Sequence, residues 1–125
     1  MRVSILLFLA LALAGCSSRT ALDRHLDAAY ERYDAGDCER TLLALSQAER
    51  HSRTRSQVQP EISLLRGQCL ERQGLYVDAA QTYLFIQSRY PASEYAYRAR
   101  ARLQTLEQLG HYRADEPAVA RPAKP

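Results

Sequence analysis

Leu64-Leu65-Arg66-Gly67-Gln68-Cys69-Leu70-Glu71-Arg72-Gln73-Gly74-Leu75-Tyr76-Val77-Asp78-Ala79-Ala80-Gln81-Thr82-Tyr83 reads as two helices folded against each other. Ile62, Leu65, Cys69 and Leu70 recur at helical spacings, and so do Ala79, Ala80, Tyr83 and Ile86 beyond the break. Gly74 stands where the first helix must end in a left-handed turn. Gly67 and Ala79 carry little or no side chain, which lets two antiparallel helices approach closely. Tyr76 and Tyr83 are large enough to fill the gaps between such hairpins.

Outward from this stretch the same grammar continues. A helix is expected over residues 21–35, with Leu22, Leu26, Ala29, Tyr30 and Tyr33 on one face and Gly36 as its C-terminal stop. Asp37 can cap a second helix over residues 38–51, which carries Leu42, Leu45 and Ala48. Residues 52–59 have no apolar period and read as a loop. Pro60 suits the first turn of the third helix. The fourth runs over residues 76–89 and is stopped by Tyr90-Pro91. Ser93 caps a fifth, which carries Ala96, Ala99, Leu103 and Leu106 and stops at Gly110. The fold class expected is all-α, five helices in antiparallel hairpins. Composition agrees: the sequence is 46% hydrophobic and 25% charged, with only five Gly and five Pro, and strong helix formers dominate it.

Gly36-Asp37-Cys38 and Gly74-Leu75-Tyr76 begin equivalent turns 38 residues apart, which makes the hairpin a repeat. The second unit resembles a tetratricopeptide (TPR) repeat, with Gly67, Gly74, Tyr76, Ala79, Tyr83 and Pro91 in that family's places. The first unit is degenerate, since Cys38 and Thr41 stand where the turn aromatic and the Ala would be. Tyr90-Pro91-Ala92-Ser93-Glu94-Tyr95-Ala96 is similar to the turn of periplasmic TPR proteins of the BamD/YfiO and Tol-Pal-associated types, although this chain is too short for the repeats of BamD. The resemblance spans residues 62–106 and implies about two repeats plus a C-terminal capping helix. It also implies a groove that binds a peptide or helix of a protein partner. The carboxylate clamp of chaperone-binding TPR domains uses Asn, and this chain has none.

Residues 1–16 add an address. Arg2 precedes an uninterrupted apolar run from Ile5 to Ala14, the length of a signal-peptide core and short for a bilayer span. Leu13-Ala14-Gly15-Cys16 resembles the lipobox of bacterial lipoproteins. That resemblance implies a signal peptide over residues 1–15, cleavage before Cys16, and lipidation of its sulfur and new amine. Several acyl chains anchor a protein where one holds it only marginally. Ser17, rather than Asp, after the cysteine favours the outer membrane, periplasmic face, under the enteric sorting rule. Residues 16–20 then form a tether, 21–110 the helical domain, and 111–125 a Pro-containing tail expected to be disordered.

Cys38 and Cys69 would lie in an oxidising compartment. Cys38 precedes the centre of the 52–59 loop by 17 residues and Cys69 follows it by 14. A disulfide between them is therefore expected, stabilising by roughly 3–4 kcal/mol in the chain-entropy model. His25, His51 and His111 are scattered over different segments, and the acidic residues read as solvated helix faces. No nucleophile turn, phosphate loop or metal-ligand spacing is visible, so a non-catalytic protein without metal, cofactor or small-molecule substrate is expected. A net charge of +3 is too weak to argue for nucleic acid. Tyr83, Tyr95, Tyr97, Arg98 and Arg102 are the candidates for the partner groove. The function expected is an adaptor in envelope assembly or secretion. A pilotin escorting a secretin, or a regulatory subunit of a periplasmic enzyme, are the alternatives.

Overall fold

The computed structural model describes residues 19–115, which hold five α-helices and no strand. These are α1 (19–34), α2 (Cys38–His51), α3 (Gln59–Arg72), α4 (Tyr76–Arg89) and α5 (Glu94–Gln108). A single 3-10 turn, Ser56–Val58, precedes α3. The expected signal peptide, lipidation site, and most of the expected tail fall outside the described residues.

Local chemistry sets the helix ends. Gly36, Gly74 and Gly110 have φ of 80°, 75° and 74°, the left-handed conformation that only glycine adopts without strain. The Asp37 carboxylate accepts from the backbone N–H of Arg40 at 3.0 Å, and the Ser93 hydroxyl accepts from that of Ala96 at 3.1 Å. Each satisfies an N–H that the helix itself leaves unpaired.

The chain divides into two compact units, Met1–Ile62 and Ser63–Pro125. In the first, the Ala35–Asp37 turn folds α2 back along α1, and Leu22, Ala29, Leu45, Ala48 and Ile62 are fully buried. Tyr30 donates to Glu61 at 2.8 Å, and Gln59 donates to Glu49 at 2.9 Å, tying the start of α3 to this hairpin.

In the second unit Leu64 of α3, Ala79, Ala80, Tyr83 and Ile86 of α4, and Ala96, Ala99, Leu103 and Leu106 of α5 form one core. Half-buried Leu70, Tyr76, Tyr95 and Tyr112 pack around it. His111 lies flat on Tyr76, with ring centroids 3.8 Å apart and planes at 10°. Residues 111 and 112, placed in the tail by their sequence, are therefore part of the packed unit.

Candidate functional site

The second unit is organised around Gly67. A Cβ at this buried position would stand 2.4 Å from Cε1 of Tyr83, so the tyrosine ring occupies the space a side chain would need. The ring is wholly buried, and its hydroxyl reaches Oε1 of Glu71, to which it donates at 2.5 Å. Arg102, from α5, donates through Nε to the same oxygen at 2.9 Å and through Nη2 to Oε2. The Glu71 side chain is only 9% exposed. One carboxylate thus gathers α3, α4 and α5 through a two-pronged arginine and a tyrosine hydroxyl. Burial first, and then the bond to Glu71, push the Tyr83 phenol far above its usual range, so it stays neutral. The bond to Glu71 also holds Arg102 protonated. Neither group can give or take a proton at neutral pH, and the arrangement is a clasp.

This corrects two of the residues expected to line a partner groove. Tyr83 is inside the core and Arg102 is committed to Glu71. Glu71 itself, read as part of a solvated face, is the centre of the clasp. Of the remaining candidates, Tyr97 is 75% exposed. Arg98 is also exposed, with its guanidinium 5.9 Å from the ring centroid of half-buried Tyr95, within cation–π range. These residues lie at the end of the α4–α5 hairpin where the Tyr90-Pro91 turn crosses. Phe85, 44% exposed, meets Tyr90 edge-on there with centroids 6.0 Å apart. Leu84 is exposed beside it. The sequence contained the signal for this pair: Tyr83-Leu84-Phe85-Ile86 is four apolar residues in a row. Only Tyr83 and Ile86 can face the core of an amphipathic helix, which leaves Leu84 and Phe85 outside.

The expected bridge between Cys38 and Cys69 is also corrected. Both residues are buried, and the structure holds them as thiols.

The histidines are less scattered than their positions in the chain suggest. His25 and His51 stack with centroids 5.5 Å apart and planes at 13°. Burial, then His51, then Arg24 and Arg50 lower the His25 pKa from its ordinary value. Among the described residues no group of three or more His, Cys, Asp or Glu could hold a metal ion, and no helix is long and apolar enough to cross a membrane. The chain matches no family model, no curated protein and no solved structure.

Proposed function

We propose that this chain is a lipoprotein, held by acyl chains on Cys16 to the periplasmic face of the outer membrane, that works as a non-catalytic, TPR-like adaptor for a protein partner. The single observation that carries the reading is Leu13-Ala14-Gly15-Cys16 directly behind the apolar run from Ile5 to Ala14. The geometry of the second unit supports the adaptor role. A clasped three-helix scaffold presents Phe85, Tyr97 and Arg98 outward, and aromatic residues and arginine are the side chains that anchor most protein interfaces.

Two measurements test the two halves. Labelled palmitate fed to producing cells enters the wild-type protein and not the Cys16→Ser variant; equal labelling refutes the anchor. A photo-crosslinker replacing Tyr97 captures a discrete envelope protein, and adding Arg98→Glu lowers the yield at least fivefold. Capture that is indifferent to Arg98→Glu refutes this face as the binding site.

A further inference from the structure

The first unit is electrically lopsided. Its tight turn carries Glu31, Asp34, Asp37 and Glu39 against Arg32 and Arg40. Its other end, where α1 begins and α2 finishes, carries Arg19, Arg24, Arg50, Arg53 and Arg55 against Asp23 and Glu49. Asp23 is engaged by Arg55 at 3.5 Å, and Glu49 accepts from Gln59. Arg19, Arg24, Arg50 and Arg53 are all exposed. The stack of His25 on His51 shows that the two helices bring their basic residues to one place. The sequence contains these charges but disperses them over 37 residues, from Arg19 to Arg55.

We infer that this basic end is a docking surface for the anionic headgroups of the bilayer in which the chain is anchored. The inference rests on the lipid-anchor reading and adds an orientation to it. Arg19 is already helical and only three residues beyond Cys16, at most about 11 Å of extended chain. His25 lies a further ~9 Å along α1. An acyl chain on Cys16 therefore brings the basic end to the headgroup layer and points the acidic turn toward the periplasm. Arginine pairs with phosphate through two parallel hydrogen bonds, and each basic residue close to an anionic surface strengthens binding roughly fivefold. The arginines at this end supply an attraction that salt screens. The occupant is the phosphate-rich surface of a lipid bilayer. A soluble acidic protein would have no reason to meet this end, which the tether holds against the membrane.

The test uses the full protein as extracted from cells and reconstituted into vesicles of phosphatidylcholine, with or without 30% phosphatidylglycerol. A dye at Thr54, between Arg53 and Arg55, reports energy transfer to an acceptor lipid, and a dye at Asp34 reports the opposite end. Transfer from position 54 rises when phosphatidylglycerol is present and exceeds that from position 34. Molar salt, or Arg24→Glu with Arg50→Glu and Arg53→Glu, returns it to the phosphatidylcholine level. Transfer that ignores lipid charge, or that survives the triple substitution, overturns the inference. Intact mass of the same preparation reports acylation of Cys16 separately. A chain without acyl groups whose position 54 still responds to lipid charge would refute the anchor and retain the docking surface.

Discussion

A methyl group added at Gly67 has nowhere to go. Replacing a helical glycine by alanine ordinarily gains up to about 1 kcal/mol of helix propensity. Here the new Cβ falls 2.4 Å from the Tyr83 ring, and forcing a packed core apart costs about 1–3 kcal/mol. Gly67→Ala is therefore expected to destabilise by about 1–2 kcal/mol, seen as a lower urea midpoint; a midpoint at or above wild type would show that the ring moves away freely. The Glu71 clasp is open to the same kind of measurement. Tyr83→Phe removes one donor from a carboxylate that keeps its arginine, at a cost of about 1 kcal/mol. Arg102→Met leaves a nearly buried carboxylate with the tyrosine alone and costs about 2–3 kcal/mol, discounted because Arg102 is itself partly exposed. The double variant should cost more than the sum of the two, because only there does the nearly buried carboxylate lose both donors. Strict additivity in a urea titration would mean that the three side chains act independently.

At the level of the helices, what could be read in advance depended on how local its cause was. The bounds of α2 and α4 follow from Gly36, Asp37, Gly74 and Pro91, whose effects reach only a few residues. The 3-10 turn at Ser56–Val58 has no apolar period to announce it. The clasp was illegible for a different reason: Glu71 and Arg102 lie 31 residues apart, and nothing in either helix marks its charge as inward-facing. Leu84 and Phe85 were legible in the four-residue apolar run, which was read only for its inner face. The contact between α1 and α2 carries its own pH dependence. Because the His25 pKa is lowered in the folded chain, folding excludes a proton that the unfolded chain accepts near its ordinary value of 6.5. Stability is complete above that pH, falls as the pH drops below it, and stops falling from this source once the folded-state pKa is passed. Thermal unfolding between pH 7.5 and 5 should show a drop that His25→Gln makes smaller. An identical drop in the variant would assign the pH dependence to other groups.

Across the whole chain, three features fit one account. On the proposed reading, the apolar run ending in Leu13-Ala14-Gly15-Cys16 is the membrane address; a basic end lies a few residues beyond it, and a clasped second unit presents aromatic residues and an arginine. Each unit has its own core and its own way of joining helices. The first uses a histidine stack and ion pairs at its surface, and the second uses a buried carboxylate. Under the proposed function, the first unit holds the membrane surface and the second meets the partner. All of it depends on the covalent state of position 16. The most direct measurement is the intact mass and N-terminal sequence of the protein extracted from native membranes. The account predicts a chain that begins at Cys16 and carries the added mass of diacylglycerol and an amide-linked acyl group. A chain that begins at Met1, or is cut elsewhere and carries no acyl mass, would contradict it.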